Sequence, residues 1–190
     1  FRHNRIAVDS EMATCLLTGL LTDTDNFTNA ATSNRSMLIA SDLIRHGGDL
    51  SRIRSVFKDK SVNALKLWGA VLSRLTKHES SELVHTYLTQ NDLTSHRVSE
   101  DEAEGIANFM NSIGEGRAMC VLKELPDGQV KGSFRTTRDD VDVSAWAKAM
   151  GGGGHKKAAG FTVPGTINEA LKKVLEEIKN MSQKKNETGN

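Results

Sequence analysis

The sequence of 190 residues predicts an α/β protein in three parts: a mainly helical front, a connecting helix and an α+β module. Apolar residues recur at helical spacing through the front, whereas strand-like segments first appear after His78. Between two of these segments, Pro126-Asp127-Gly128 is typical of a hairpin turn. We therefore expect a front over 1–60, a connecting helix over 61–78, the module over 79–181 and a disordered polar tail over 182–190.

Helices in the first two parts are predicted from apolar periodicity and from residues that begin and end helices. They cover 7–21, 36–46, 49–57 and 61–77. The polar stretch 22–27 ends the first helix, and Gly47-Gly48 ends the second. Asp49 and Ser61 are expected to cap the third and the fourth. The apolar side of the fourth helix carries Trp68, which we expect to pack in a core rather than to stack on a base.

The module is predicted to alternate strands with helices. Its strands cover 83–88, 117–125, 129–136 and 158–163, and its helices cover 99–110, 143–150 and 167–181. Two pairs have the spacing of a capping box: Ser99 with Glu102, and Thr166 with Glu169. In the strand over 129–136 apolar and polar residues alternate, so one side of that strand is expected to be buried.

Composition limits the class of protein. The formal net charge of +1 excludes a broadly basic nucleic-acid-binding surface, so any anion site must be local. Cys15 and Cys120 have no metal-ligand spacing and make no disulfide framework, which fits a reducing cytoplasm. With no apolar run near ~18 residues and no signal-peptide pattern, no membrane association is expected. Because the chain begins at Phe1 rather than Met, we expect a fragment.

Four consecutive glycines, Gly151, Gly152, Gly153 and Gly154, stand directly before His155 and two lysines. Glycine suits backbone that turns through positive φ or comes very close to another group. Exposed amides beside cationic side chains form a site that suits a phosphate. The run therefore predicts a phosphate-binding loop, and a flexible turn with solvated lysines is the alternative. It is not a P-loop, because no Gly-Lys-Ser/Thr closes it.

Two arginines lie at the end of the predicted strand over 129–136 and just beyond it. Arg135 lies on the face opposite to Phe134, so burial of Phe134 would direct Arg135 outward, into a cleft. Arg138 follows three residues later. A guanidinium offers phosphate a planar, bidentate set of donors that a lysine cannot reproduce. Both arginines are therefore candidate phosphate ligands together with His155, and simple exposure on a sheet face is the alternative.

Asp23 follows an apolar segment and is flanked by the hydroxyls of Thr22 and Thr24, a setting compatible with a ligand of a hard metal ion. A turn or cap role is the alternative. One carboxylate does not make a hydrolytic metal site, since several ligands must converge, and the histidines are scattered without ligand spacing. Nucleophilic catalysis has no support, because the chain has no Gly-x-Ser-x-Gly motif and neither cysteine has an activating neighbour.

Three groups of residues together resemble a known family. They are Thr18-Gly19-Leu20-Leu21-Thr22-Asp23-Thr24, then Ser133-Phe134-Arg135 followed by Asp142-Val143-Ser144, and finally the glycine run continued as His155-Lys156-Lys157-Ala158-Ala159-Gly160. In this order and separation they resemble the DHH phosphoesterases with a C-terminal DHH-associated domain. The branch that they resemble most comprises oligoribonucleases and phosphoadenosine-phosphate phosphatases. The resemblance covers nearly the whole chain.

The resemblance implies a two-domain hydrolase. Its catalytic domain would hold two Mn²⁺ or Mg²⁺ ions, and its DHH-associated domain, with a mixed sheet, would bind substrate. Carried over by position, Asp23 is a metal ligand, whereas Arg135 and the loop from Gly151 to His155 bind substrate. The chain departs from the family in having Asp25 where many relatives have glycine, and in lacking the upstream metal-binding motifs. Residues 1–60 are then the remnant of the catalytic domain, and we expect this chain to be inactive by itself.

The resulting prediction is a cytoplasmic, metal-dependent phosphoesterase that hydrolyses short oligoribonucleotides or small adenine nucleotides. This chain would carry mainly the substrate-binding half, with a homodimer left open. A cyclic-dinucleotide phosphodiesterase and a RecJ-like single-strand exonuclease are alternatives within the family, although the small net charge argues against long single strands. A nucleotide- or RNA-binding module without chemistry is the alternative from another class.

Overall fold

The computed structural model describes residues 6–24, 26–28, 31–56 and 60–187. Asp25, Phe57 and the last three residues of the predicted tail lie outside the described residues. The chain folds as two units, Phe1–Asp59 and Lys60–Asn190, and each is described here by itself. Over the described ranges, the structure contains no helix long and apolar enough to cross a membrane.

The first unit is helical. Its helices are α1 (Ser10–Asp23), α2 (Asn34–Arg45) and α3 (Leu50–Val56). Asp9 caps α1, and Ser33 with Ser36 forms a capping box on α2. The first helix continues two residues past its predicted end, and the hydroxyls of Thr22 and Thr24 donate to the Thr18 and Leu20 carbonyls at 2.9 and 2.7 Å. The core of this unit consists of Ala13, Leu17, Leu21, Ala40, Leu43 and Ile53.

The second unit is built on a six-stranded sheet. Its strands are β1 (Thr76–His78), β2 (Leu83–Leu88), β3 (Ala118–Glu124), β4 (Gln129–Arg135), β5 (Gly153–His155) and β6 (Ala158–Pro164). They lie in the order β1-β2-β3-β4-β6-β5, with β2 and β3 parallel and every other pair antiparallel. The predicted α+β fold with a mixed sheet is thus confirmed.

Helices cover the two faces of this sheet unequally. They are α4 (Val62–Leu72), α5 (Gln90–His96), α6 (Ile106–Phe109), α7 (Val143–Ala149) and α8 (Ile167–Glu187). One face buries Phe134 and Phe161 in a core shared with α7 and α8. The opposite face buries Val84, Met119 and Val121 of β2 and β3 in a second core with α4, α5 and α6.

The second face is open over β6 and β5, and over β4 it is only partly covered by α6 and the turns before it. The cross-strand register places eight residues on this side: Lys131, Ser133, Arg135, Gly153, His155, Ala158, Gly160 and Thr162. All eight are half-buried or exposed. We call this surface the open face.

The predicted connecting helix is wrong at its C-terminal end. The helix α4 stops at Leu72, and Thr76–His78 instead pairs with β2 as the edge strand β1. Just after the helix, the guanidinium of Arg74 binds both carboxylate oxygens of Asp92 at 2.6 and 2.7 Å. This ion pair fixes the position of the chain after Leu72, so Thr76 lies beside β2. Thr76 is β-branched, and such residues are favoured in strands.

The predicted helix over 99–110 is also wrong for most of its length. The Ser99–Glu102 capping bonds form, but turns follow them until α6 begins at Ile106. Lys60 Nζ donates to the carbonyls of Glu102 and Glu104, which a continuous helix would use for its own hydrogen bonds. Gly105 has a φ of +97°, which also interrupts helical geometry.

Two further elements differ from the sequence prediction. The helix α5 was not predicted, although Thr89 and Asp92 form the capping box at its start. The final helix α8 runs to Glu187, through residues assigned to a disordered tail. Within this extension the hydroxyl of Ser182 donates to the Ile178 carbonyl at 2.9 Å.

Candidate functional site

Two of the predicted site residues lie in one row across three neighbouring strands. Arg135 of β4 pairs with Ala158 of β6, and Ala158 pairs in turn with His155 of β5. Directly paired residues of antiparallel strands point to the same side of a sheet, so the side chains of Arg135 and His155 flank a single methyl group on the open face. Their backbones are two strands apart, about 10 Å. The structure therefore brings these two candidates together.

The next row of the open face consists of small residues. Ser133 of β4 pairs with Gly160 of β6, and Gly160 pairs with Gly153 of β5. A flat floor without large side chains therefore lies beside the row that carries Arg135 and His155. Such a floor leaves room for a group bound between the side chains of Arg135 and His155.

The four glycines are needed for different reasons. Gly151 has a φ of +79°, a conformation that L side chains rarely adopt. A Cβ at Gly152 would lie 2.1 Å from the Gly160 carbonyl oxygen, and one at Gly154 would lie 2.6 Å from the Ala158 carbonyl oxygen. A Cβ at Gly153 would meet no atom within 4 Å, so the fold does not require glycine there.

The predicted loop of four exposed amides is only partly correct in form. The amides of Gly151 and Gly152 donate to the Lys148 and Ala147 carbonyls at 3.0 and 2.8 Å, where they close the end of α7. The remaining residues, Gly153–His155, form the edge strand β5 rather than a loop. An anion could therefore meet the glycine run at an extended edge of the sheet, and not in a concave turn.

Arg135 is held in place by two neighbours. Its Nε donates to the side-chain oxygen of Asn108 at 3.1 Å, and its Nη1 donates to the Phe134 carbonyl at 2.9 Å. Asn108 lies on α6, 27 residues away in sequence. No role for Asn108 was predicted from the sequence, because no pattern connects a short helix to a strand so far along the chain.

Arg138 lies apart from this row. Its guanidinium binds both carboxylate oxygens of Asp140 at 2.9 and 3.1 Å, and Arg117 approaches the same carboxylate at 3.5 Å. The hydrogen bonds from Arg138 hold the pKa of Asp140 down at about 2. Arg138 therefore faces a carboxylate in this structure, while Arg135 and His155 share the open face.

The turn between β5 and β6 is fixed by its neighbours. The carbonyls of Lys156 and Lys157 accept hydrogen bonds from the amides of Val143 and Thr136 at 3.1 and 3.0 Å. Lys157 Nζ also pairs with Asp139 at 2.7 Å. These contacts hold His155, the residue just before the turn, in the register that places it beside Ala158.

Asp23 lies in the first unit as the exposed last residue of α1. A site for two divalent ions needs several carboxylate or histidine ligands that converge. Among the residues that the structure describes, no three His, Cys, Asp or Glu side chains come together in such a group. The described residues therefore do not form a complete site for two metal ions, and no catalytic step through a metal follows from them.

The fold and the open face define the class of domain: an α+β domain in which part of a mixed sheet is uncovered and carries cationic side chains. The family described as the DHHA1 domain matches residues 80–183, more than half of the chain, and the chain belongs to that family. The sequence-based recognition of a DHH-associated domain is thus confirmed.

Curated relatives extend the likeness beyond that domain. The chain is 31% identical over 171 residues to the bifunctional oligoribonuclease and PAP phosphatase NrnA of Thermus thermophilus, covering 90% of this chain and 51% of the relative. It is 22% identical to the NrnA of Bacillus subtilis, covering 82% and 49% of the two chains. It is also 25% identical to the A-adding tRNA nucleotidyltransferase of Aquifex aeolicus, covering 90% of this chain and 20% of that protein. The chain thus spans about half the length of its NrnA relatives.

One solved structure is closely similar. An exopolyphosphatase-related protein from Bacteroides fragilis has a TM-score of 0.81 and 29% sequence identity, covering 90% of this chain and 51% of that one. The similarity in fold therefore reaches across most of this chain and again about half of the related protein.

Proposed function

We propose that this chain is the substrate-binding part of a metal-dependent phosphoesterase that acts on short oligoribonucleotides and small adenine nucleotides. The observation that carries this proposal is the row Arg135–Ala158–His155, with the small residues of the open face beside it. The names of the NrnA relatives supply the substrate class.

In this proposal Arg135 and His155 bind one phosphate from opposite sides. Arg135 supplies charged N–H donors, and Asn108 fixes the plane of its guanidinium. His155, exposed on β5, supplies a ring N–H. Gly153 lets the phosphate approach the edge strand, which accounts for a glycine that the fold itself does not require. We also propose Arg138 as a phosphate ligand outside this row. Its guanidinium would first have to break its hydrogen bonds to Asp140.

We assign one metal ligand to this chain, Asp23, and expect Mn²⁺ or Mg²⁺ to be the ion. Such ions would supply an activated water for attack on phosphorus. Because no three potential ligands come together among the described residues and a two-metal site needs several, we expect this chain to be inactive by itself. A cytoplasmic location, in which the free Cys15 and Cys120 stay reduced, belongs to the same proposal.

A second candidate function is a nucleotide- or RNA-binding module without chemistry of its own. It is favoured by the relative from Aquifex aeolicus, in which a similar segment is about a fifth of a protein named for a different reaction. Both candidates require phosphate binding on the open face, and they differ in whether hydrolysis follows once the rest of a phosphoesterase is present.

The proposal is tested by calorimetric titration with a 5′-phosphorylated adenine dinucleotide, with and without Mn²⁺. We expect binding that does not depend on metal. Arg135→Ala should weaken it at least about 10-fold, because a hydrogen bond to a charged group is worth roughly 1.5–3 kcal/mol. His155→Ala should weaken it less, and Arg138→Ala, with its carboxylate partner, least of the three.

Two glycine variants separate binding from folding. Gly153→Ala should keep the unfolding temperature and weaken binding, since its Cβ is free of protein atoms but occupies the approach to β5. Gly152→Ala should lower the unfolding temperature, because its Cβ overlaps backbone. Undiminished binding by a folded Arg135→Ala variant would show that the phosphate lies elsewhere, whether or not Gly153→Ala weakens binding.

A further inference from the structure

A cavity of about 280 Å³ lies directly beside Arg135. It is bounded on one side by β4 and on the other by residues 100–108, the segment that contains α6. Leu88, Val121 and Ile106 give it an apolar lining, and Asn108, Ser133 and Arg135 contribute polar groups. The combination of an apolar wall with a few placed polar groups is characteristic of small-ligand sites.

The cavity extends away from the proposed phosphate position along one strand. Arg135, Ser133 and Lys131 of β4 all line it, so it follows the strand over five residues, which are four intervals between Cα atoms. At about 3.3 Å for each residue, this length is about 13 Å. That distance is sufficient for a sugar and a base attached to a phosphate held at Arg135.

Charged groups of both signs line the cavity. Lys123 is paired with Glu100 at 2.6 Å, and Glu104, Lys131 and Arg135 also line it. Charge therefore does not select the ligand, and the apolar side chains do. A base can bury its ring against them, whereas a second phosphate cannot.

Asn108 offers a polar contact suited to a base. Its Oδ1 accepts the hydrogen bond from Arg135 Nε at 3.1 Å, which fixes the amide plane. The NH₂ group is the other branch of the same amide and can donate to a ring nitrogen or a carbonyl oxygen. One side chain thus connects the arginine to the cavity.

We propose that this cavity binds the nucleobase of the nucleotide whose phosphate lies between Arg135 and His155. The inference rests on the proposed function, because the phosphate sets the end from which the base enters. The phosphate is bound at the end of β4, the sugar lies beside Arg135, and the base lies over Ser133 and contacts Val121 and Asn108.

The test compares adenosine 5′-monophosphate with ribose 5-phosphate, titrated calorimetrically against the whole chain. Both ligands carry the phosphate, and only the first carries a base. We expect the nucleotide to bind about 10-fold more tightly, because its base buries apolar surface against Leu88, Ile106 and Val121, which ribose 5-phosphate does not reach. Ser133→Phe fills the cavity and should remove this ratio while ribose 5-phosphate still binds.

Thr162→Phe is the matched control. Thr162 pairs with Lys131 on the same open face but does not line the cavity, so the same added ring should leave the ratio unchanged. If Ser133→Phe does not fold, Asn108→Ala should lower the ratio severalfold. Equal affinities of the wild type for both ligands would overturn the base site and leave the phosphate site standing. No binding of either ligand by the folded chain would overturn both.

Discussion

Asp92 is a buried carboxylate with four hydrogen bonds. Arg74 binds both of its oxygens, and the amide and hydroxyl of Thr89 donate to Oδ2 at 2.9 and 2.8 Å. Its side chain is only 7% exposed. The hydrogen bonds from Arg74 hold the pKa of the Asp92 carboxyl well below its usual range, against the effect of burial. The fold thus favours the ionised carboxylate, which connects the chain after α4 to the start of α5.

We expect Asp92→Asn to lower the free energy of unfolding by roughly 2–3 kcal/mol at pH 7, because it leaves a charged, partly buried arginine without its partner. A folded-state pKa that is lowered gives stability above the unfolded pKa, about 3.9, and loses it as pH falls below that value. The difference between wild type and variant should therefore shrink by about 1 kcal/mol between pH 7 and pH 3 in urea unfolding.

The exposed Asp101 provides the control for this prediction. Asp101→Asn should change stability little at either pH. A difference for Asp92→Asn that is the same at pH 7 and pH 3 would mean that the ionised carboxylate is not the source of the stability.

Individual residues of the candidate site could be predicted from sequence to different degrees. Arg135 follows from strand alternation, and the glycine run with His155 is visible as composition; their ligand roles stay predictions. The separate reasons for Gly152 and Gly153 could not be predicted, since they depend on which atoms of β6 lie opposite. The partner of Arg138 was also missed, because Asp140 is close in sequence but its orientation is set by the turn after β4.

Two capping boxes in this chain have the same hydrogen bonds but different surroundings. Thr166 and Glu169 bond each other's backbone amides at 2.8 and 3.3 Å, and a helix of 21 residues follows. Ser99 and Glu102 do the same at 3.1 and 3.3 Å, and only turns follow. A cap stabilises the helix that it begins, so the two boxes should differ in their effect on stability.

Thr166→Ala should therefore lower the free energy of unfolding by about 1 kcal/mol, as expected for loss of a helix cap. Ser99→Ala, which removes the same kind of hydroxyl, should lower it by less than about 0.5 kcal/mol. Chemical denaturation of the two variants beside the wild type measures both values. Equal losses would show that the box at Ser99 stabilises the turns as strongly as the other stabilises α8.

At the level of elements, sequence patterns succeeded where local signals agreed with packing. The hairpin of β3 and β4 and the start of α8 were predicted close to their observed limits, because turn residues and capping pairs act locally. The end of α4 and the segment after Ser99 failed because distant partners decide them. Asp92 binds the guanidinium of Arg74 after α4, and Lys60 donates hydrogen bonds to two carbonyls more than forty residues away.

The two units differ in the size of their cores. Among the described residues, six buried side chains form the core of the first unit, whereas the second has clusters of fifteen and twelve. The first unit also exposes large apolar side chains on α2, including Met37, Leu38 and Ile44. Because a small core gives little net stability, the first unit should open more readily than the second.

Limited proteolysis should accordingly cut this chain before Ser61 much earlier than after it, with cleavage sites read by mass spectrometry. The free energy of opening is expected to be smaller in the first unit, and protease access follows the population of open states. A scanning calorimetry trace should show a first transition that a ligand of the open face does not shift. Equal resistance of both units would contradict the ranking of their cores.

For the whole molecule, sequence predicted that helices come first and a mixed α+β domain follows. It could not predict that part of one sheet face stays uncovered, since this depends on strand order and register. The order places β6 between β4 and β5. Arg135 and His155 are therefore brought into one row only when β6, which follows both in the sequence, pairs with both strands. Non-local pairings of this kind leave no periodic signal in the chain.

The two borders of the sheet have a consequence for self-association. Both are strands of three residues, Thr76–His78 and Gly153–His155, and the second is rich in glycine. Long, flat, apolar edges template the addition of strands from other copies, and short or glycine-rich ones do so poorly. The protein at the concentrations used for ligand titration should therefore resist edge-to-edge aggregation, although within the described residues β1 and β5 each pair with a strand on one side only.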